Sequence, residues 1–327
     1  MRRIWRRRTA GPFTTAVVML AMATAGTPAA AEIKVVVTSK PVHALVAGVM
    51  AGAGSARLLI EGGASPHTYA LKPSDAKALN EADVVFRISE GLEPFTGKVF
   101  KTLPRKVRAV TLADAPGLTL LYRRAGGPFE AHGHAKSKAS ETARAHGHGH
   151  DHDDHDKRSD AHVWLDPANA KAMTTHIANV LSEASPADAA TFRANAARLD
   201  KRLDALAGEL AAEFQPLAAK PFIVFHDSLQ YLESRFGLTA VGSITANPEE
   251  QPSAKRLVDL RRKVAALGAV CVLSEPQFPA KLVTSVFEGR RARTAVVDPE
   301  GGLLMPGPDL YFELMRKTAA SLKSCLQ

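Results

Sequence analysis

A single helical pattern of unusual length divides the chain into two halves. From Pro186 to Phe214, large apolar residues recur at spacings of three and four, which places them on one face of a helix. Ser185 and Pro186 supply the start of this helix. At 1.5 Å per residue the helix would extend roughly 40 Å, which argues against an ordinary core helix of a single domain. We therefore predict a linking helix, residues 185–216, between two lobes.

On both sides of this helix, short apolar segments alternate with helical ones. The predicted strands are 33–37, 57–60, 84–88 and 107–111 in the first half, and 222–225, 239–241, 269–273 and 294–297 in the second. The predicted helices include 42–53, 74–81, 253–267 and 280–288. Such alternation predicts parallel sheets with crossover helices. The expected fold class is therefore α/β, with an N-terminal lobe of residues 32–184 and a C-terminal lobe of residues 217–327.

The first 31 residues have the pattern of a cleavable signal peptide. A basic start with five arginines precedes the apolar run Phe13–Ala25 and three alanines ending at Ala31. The apolar run is short for a membrane span, and an uncleaved membrane anchor is the alternative. We expect cleavage after Ala31 and export of the chain from Glu32 onward to the periplasm. No cysteine lies near this site, so no lipid anchor is expected, and the mature chain should be water-soluble rather than membrane-embedded.

The basic charge of the chain is largely a property of this leader. The formal net charge is +9, and it falls to +4 without residues 1–31. No cluster of Lys and Arg elsewhere resembles a nucleic-acid footprint. Nucleic acid is therefore not an expected partner.

A histidine-rich segment, residues 130–161, interrupts all periodicity. It mixes histidine with acidic residues and glycine and is almost free of large apolar side chains, which predicts a surface loop. Imidazole and carboxylate together suit Zn²⁺ and similar ions, so the loop is a candidate accessory metal-binding region. A solvated polar linker is the alternative. Its histidines are His132, His134, His146, His148, His150, His152 and His155.

Four other residues stand at the ends of predicted strands or just before a helix start: His67, His162, His226 and Asp298. Strand ends are where parallel α/β sheets place their ligand groups. Three imidazoles and one carboxylate make a chemically sensible tetrahedral zinc shell. A single histidine is more often a satisfied polar residue, which is how we interpret His43 and His176. Spacing alone does not bring the four candidates together.

The two cysteines, Cys271 and Cys325, are separated widely. In an exported protein such a pair is more often a disulfide than two free thiols. Metal binding by one or both thiols is the alternative, although the spacing lacks the C-x-x-C form of a zinc knuckle.

Several segments, in register along the mature chain, resemble the zinc-specific substrate-binding proteins of bacterial ABC transporters, the ZnuA type. They are GGASPHTYALKPSD (62–75), HVWLDP (162–167), VFHDS (224–228), NPE (247–249), QPS (251–253), SEPQF (274–278) and VDP (297–299). The resemblance implies two α/β lobes joined by a rigid helix, with zinc held in the cleft between them. It also implies that Cys271 and Cys325 form the disulfide of the second lobe.

Carried over by position, the resemblance implies that His67 and His162 from the first lobe and His226 from the second hold the ion. Asp298 is then a ligand or a close neighbour. Some members place Glu before the first histidine, where this chain has Pro66, so the fourth position falls to Asp298 or to water. Manganese relatives tend to have a carboxylate at the position of His226, so this imidazole favours zinc.

The resemblance further implies a function and partners. A chain of this type captures Zn²⁺ in the periplasm and, as a monomer, delivers it to an inner-membrane permease that works with a cytoplasmic ATPase. A periplasmic zinc buffer or an adhesin is the alternative. A zinc hydrolase is the rival from another class, but no H-E-x-x-H motif is present and no enzymatic activity is expected.

Overall fold

The computed structural model describes Met1 and residues 32–124, 129, 159–245, 258, 261–262, 266, 268–278 and 293–327. Within these residues we number eight strands and seven α-helices in chain order.

The first lobe is built on a four-stranded parallel sheet with the strand order β2-β1-β3-β4. Its strands are β1 (Val35–Val37), β2 (Ala56–Leu58), β3 (Val84–Arg87) and β4 (Arg108–Thr111), and its helices include α1 (Lys40–Met50), α2 (Pro73–Glu81) and α3 (Thr96–Thr102). All three residues of β1 are buried. A central strand of a parallel sheet is covered on both faces, which explains its unbroken run of valines.

The second lobe repeats this plan with the order β6-β5-β7-β8, again all parallel. Its strands are β5 (Pro221–Val224), β6 (Thr239–Ser243), β7 (Cys271–Ser274) and β8 (Arg293–Val296), and its helices include α6 (Gln230–Phe236) and α7 (Leu310–Leu326). Gly237 caps the C-terminus of α6, and its φ of 70° lies in the left-handed region that glycine adopts without a steric penalty.

Two helices, α4 (Pro167–Ala184) and α5 (Ala189–Phe214), lie between the sheets in sequence. Helix α5 has 26 residues and buries Phe192, Leu199, Leu203, Leu206, Leu210 and Phe214 along one side. Its close approach to α1 needs a small residue, because a Cβ on Gly48 would lie 2.8 Å from Leu199 Cδ1. One continuous apolar core includes residues of β1, α5 and β5, so α5 packs into both lobes.

The strand order places a topological switch point at equivalent positions in both sheets. The chain leaves β1 for β2 on one side and returns to β3 on the other, and β5, β6 and β7 repeat this arrangement. Ligand sites in such sheets form outside the carboxyl ends of the strands at the switch point. The loops after β1, β3, β5 and β7 are therefore where a site is expected.

The predicted α/β class, the two parallel sheets and the long helix are confirmed. All eight predicted strands are present, with bounds that differ by at most two residues. The predicted signal peptide, the loop histidines, the motifs at 247–253 and the helix 280–288 lie outside the described residues, as does most of the helix 253–267.

The predicted cysteine pairing is present. Cys271, the first residue of β7, is bonded to Cys325 near the end of α7, with a Cα–Cα distance of 5.6 Å. The bond ties the last helix to the sheet of the second lobe.

No helix within the described part of the chain combines the length and apolar character needed to cross a bilayer.

Candidate metal centre

His67 lies in the loop that follows β2 in the first lobe. Its backbone N–H donates to Ser65 Oγ at 3.3 Å, and Thr68 N–H donates to the Ser65 carbonyl, so a tight turn orients the ring. The side chain is 11% exposed. Its Nε2 atom is buried and has no hydrogen-bond partner among the described residues. A buried ring nitrogen without a hydrogen-bond partner lowers the stability of the fold unless a ligand such as a metal ion binds it.

His162 lies directly before a short 3₁₀ turn and the start of α4. Asp160 fixes it twice, because Oδ1 of that carboxylate accepts from the His162 backbone N–H at 3.0 Å and lies 2.7 Å from ring Nδ1. Asp166 caps α4 by accepting from Ala168 N–H, and Pro167 occupies the first turn of that helix. The HVWLDP segment is thus a helix entry that holds the imidazole in place.

His226 follows β5 at the switch point of the second lobe. Its Nδ1 lies 2.6 Å from Oε1 of Glu275, which follows the neighbouring strand β7. Parallel pairing of β5 with β7 brings the two strand ends together, although 49 residues separate the partners in sequence. The imidazole is almost fully buried.

The three rings converge on one point between the lobes. Nε2 of His226 lies 3.1 Å from Nε2 of His162, and one nitrogen from each of the three rings lies within 4.8 Å of the others. A tetrahedral zinc with bonds of 2.0–2.1 Å places its ligand nitrogens about 3.3 Å apart. The cluster therefore has nearly the size that a single zinc ion requires.

The carboxylates determine which nitrogens are available to an ion. Asp160 and Glu275 lie 2.7 and 2.6 Å from Nδ1 of His162 and His226. When each Nδ1 carries a proton and donates to its carboxylate, Nε2 of the neutral ring is the atom that can bind a metal. Carboxylate–histidine pairs of this kind fix the tautomer and orient the ring toward a metal. Burial raises the pKa of Asp160 to about 7, while the His162 backbone N–H opposes that rise.

The ring pKa values follow from burial and from neighbouring charge. Burial, together with the neighbouring imidazoles and Arg123, lowers the pKa of His67 well below its usual value. Burial and the positive charge of His226 and Arg123 have the same effect on the pKa of His162. Burial also lowers the pKa of His226, but Glu275 and the acids Asp160 and Asp227 outweigh it and raise that pKa. At least two rings are thus neutral near pH 7, which is the form that binds metal.

Asp298 lies outside the group that the three rings form. Its Oδ1 accepts from Gln277 Nε2 at 2.8 Å and its Oδ2 from Leu303 N–H at 3.0 Å. Both oxygens are thus engaged in holding the turn after β8. Whether Asp298 is a ligand stays a prediction.

Glu300, two residues further on, is a carboxylate that the sequence analysis missed. Its Oε1 lies 3.9 Å from His67 Nε2 and accepts from Ser65 Oγ at 3.2 Å, and its other oxygen is buried without a hydrogen-bond partner in the described part of the chain. Burial and then the charge of Glu275 raise its pKa well above the usual range. Its position in the same strand-end loop as Asp298 could have identified it from the sequence as a candidate ligand.

The described flanks of the histidine-rich segment meet beside this centre. Tyr122 forms a β-bridge with Ser159, and Asp160 N–H donates to the Leu121 carbonyl at 2.8 Å. The loop histidines themselves lie outside the described residues. Because Asp160 also contacts His162, this described pairing lies next to a candidate ligand.

Removal of the Glu275 carboxylate is expected to weaken zinc binding about 10–100-fold, because His226 then loses the acceptor that orients its ring. The Glu275→Ala variant tests this by competition titration with a chelating dye. Glu275→Gln keeps a carbonyl acceptor and should lose less. Glu183→Ala, which removes a surface glutamate, serves as the control. Equal affinity for Glu275→Ala and the native chain would contradict the role.

The comparisons with known proteins agree with this geometry. The family described as ZnuA, zinc-uptake complex component A, periplasmic, matches residues 35–325. The high-affinity zinc uptake system protein ZnuA of Brucella abortus (strain 2308) is 51% identical over 304 residues, which is 89% of this chain and 91% of that protein. The protein of the same name from Paracoccus denitrificans (strain Pd 1222) is 40% identical over 319 residues, covering 95% and 97%.

Solved structures extend the likeness to the fold. One described as the crystal structure of ZnuA matches with a TM-score of 0.70 at 23% identity, covering 90% of this chain and 99% of that chain. At that identity the match concerns the fold alone.

Proposed function

We propose, on the premise that this chain belongs to the ZnuA family of zinc-uptake components, that His67, His162 and His226 together hold the one Zn²⁺ ion that the protein carries. The observation that carries the proposal is the convergence of three buried ring nitrogens from two lobes, with Nε2 of His162 and of His226 only 3.1 Å apart. Imidazole-rich shells suit zinc better than manganese, which prefers oxygen ligands.

A carboxylate from the turn after β8 completes the proposed shell. Asp298 and Glu300 are the two candidates. Glu300 is favoured by the 3.9 Å distance from its Oε1 to His67 Nε2, and its second oxygen has no hydrogen-bond partner in the described part of the chain. A carboxylate at this position would reduce the positive charge that zinc brings into a buried site.

The proposed role is transport. The family is that of periplasmic zinc-binding components of ABC importers. We propose that residues 1–31 direct this chain to the periplasm and are removed there, and that the mature chain acts as a monomer. Residues 32–184 and 217–327 would form the lobes and residues 185–216 the link. The loaded protein would deliver its ion to an inner-membrane permease driven by a cytoplasmic ATPase.

The histidine-rich segment is proposed as an accessory zinc collector. Its flanks meet at Asp160, which also contacts His162. Ions bound weakly by the loop histidines would thus be concentrated next to the main site. The segment would raise the local zinc concentration without forming part of the tight site.

Binding rather than catalysis is proposed for the same centre. A catalytic zinc keeps an open coordination position and a positioned base. Here Asp160 and Glu275 each contact a ring Nδ1 and are engaged in orienting ligands. The rings of His162 and His226 are about 95% buried or more, which leaves little room for a polymeric substrate.

A growth experiment separates transport from a buffering or adhesive role. A strain of the source bacterium that lacks the gene for this chain should grow poorly in zinc-chelated medium. Growth should recover when the native gene is supplied but not when the His226→Ala gene is supplied. Recovery should also require an intact permease gene, and uptake of radioactive zinc should follow growth. Recovery without the permease would indicate a buffer and would contradict the transport role.

A further inference from the structure

Lys40 is a buried cation that the proposed zinc shell does not use. It is the first residue of α1, immediately after the central strand of the first sheet, and it is only 6% exposed. Its Nζ donates to the carbonyl oxygens of Gly302 at 2.6 Å, Leu304 at 2.9 Å and Gly301 at 3.3 Å. An ammonium group has three donors, and here each meets a backbone oxygen of the other lobe.

The acceptors belong to residues 298–304, the turn that follows β8, which we call the capping turn. Within its own lobe, Asp298 holds the turn by accepting from Leu303 N–H. From the first lobe, Trp164 Nε1 donates to the Pro299 carbonyl at 2.9 Å and Ser65 Oγ donates to Glu300. The turn is therefore held by hydrogen bonds from both sides of the cleft, and Lys40 donates more of them than Trp164 or Ser65 does.

The capping turn also lies close against the first lobe at Gly302. A Cβ on Gly302 would lie 3.3 Å from Gly63 Cα and 3.1 Å from Gln277 Nε2. His162, His226 and Glu300 are buried, and the side chain of His67 is 11% exposed. An ion held by the three rings would therefore be largely screened from solvent.

We propose that Lys40 is a positioning residue that fastens the capping turn over the zinc site and thereby slows the release of zinc. The proposal rests on the proposed function, because it concerns the ion held by the three histidines. Lys40 does not touch the metal. It acts through the capping turn, which carries Glu300. The ion would leave only when the capping turn separates from Lys40 and the first lobe.

The Lys40→Met variant keeps the length and apolar stem of the side chain but has no donor. Zinc dissociation, followed by stopped flow with an excess of a fluorescent chelator, should be about tenfold faster than in the native chain. Association should change little, because affinity changes at a given site arise mostly in the dissociation rate. Lys220→Met is the matched control, since Lys220 also donates to a carbonyl, that of Leu326, but within its own lobe.

A double-mutant cycle with Glu300→Gln distinguishes positioning from a general loss of stability. If Lys40 acts through the capping turn, the two effects on the dissociation rate should be far less than multiplicative in the Lys40→Met/Glu300→Gln chain. Multiplicative effects would contradict the coupling, as would an unchanged dissociation rate in Lys40→Met. Lys40→Arg, which restores charged donors, should recover part of the slow release.

A second variant covers the case in which Lys40→Met does not fold. Gly302→Ala leaves Lys40 intact but places a Cβ 3.3 Å from Gly63 Cα and 3.1 Å from Gln277 Nε2, so the capping turn or these neighbours must shift, and it should also accelerate dissociation. A native dissociation rate in Gly302→Ala would overturn the proposal. Absence of tight zinc binding by the native chain would instead overturn the proposed function, so the two failures remain distinguishable.

Discussion

The His226→Ala variant is expected to bind zinc about a hundredfold to a thousandfold more weakly than the native chain. Structural zinc sites have apparent binding free energies of about 10–16 kcal/mol, which is about 2.5–4 kcal/mol for each of four ligands. His226 is the proposed ligand from the second lobe, and its Nε2 lies 3.1 Å from that of His162. Its loss would leave the ion bound to the first lobe and to the capping turn only.

The measurement needs a chain in which loop histidines do not bind zinc themselves. Residues 132–155 should therefore be deleted in both the reference and the variant, and zinc titrated against a competing chelator. The deletion alone is expected to leave one tight site per chain. His67→Ala and His162→Ala should resemble His226→Ala, because each removes one of three converging nitrogens.

His176→Ala is the matched control, because His176 lies on α4 and is not part of the three-ring group. Its affinity should equal that of the reference. If the loop deletion abolished all tight binding, the main site would lie in the loop and not between the lobes. Retention of full affinity by His226→Ala would contradict the assignment of that ligand.

The strands were predictable from sequence because buried parallel strands are short, apolar and rich in branched residues. The long helix was equally clear, since seven of its buried positions follow helical spacing. Helix α7 was not among the predicted elements. Its buried face is largely apolar and includes Leu310, Leu314 and Leu322 at helical spacing, so the pattern was present in the sequence. The helix packs against α1, α5 and the second sheet.

The histidines of the site were predictable because each stands at a strand end or a helix entry. Their partners were harder to identify, because tertiary contacts create them. Glu275 meets His226 only through the pairing of β5 with β7, and Glu300 meets Ser65 across 235 residues of sequence. Lys40 is the extreme case, since a lysine at a helix start is usually exposed. Only the carbonyls of the second lobe, more than 260 residues away, explain its burial.

The Cys271→Ala/Cys325→Ala chain is expected to lose about 4 kcal/mol of unfolding free energy. The bond spans 54 residues, and the chain-entropy model assigns about that value to a loop of this length. Both cysteines are almost fully buried, so removal of the sulfur atoms also costs some packing. Urea denaturation, followed by circular dichroism in the absence of zinc, measures the total loss.

The reductant dependence separates the covalent constraint from the packing. A phosphine reductant should destabilise the native chain in urea and leave the double-alanine variant unchanged, since only the native chain has a bond to lose. The stability that remains between the reduced native chain and the variant is then the packing contribution. If reduction left the native chain at full stability, restriction of the unfolded chain would not be the source of the effect.

The loss of stability should be specific to the second lobe, because the bond joins β7 to α7, and β7 leads directly to Glu275. The zinc site would then weaken at lower urea concentration in the reduced chain, because its carboxylate support and the orientation of His226 depend on that strand.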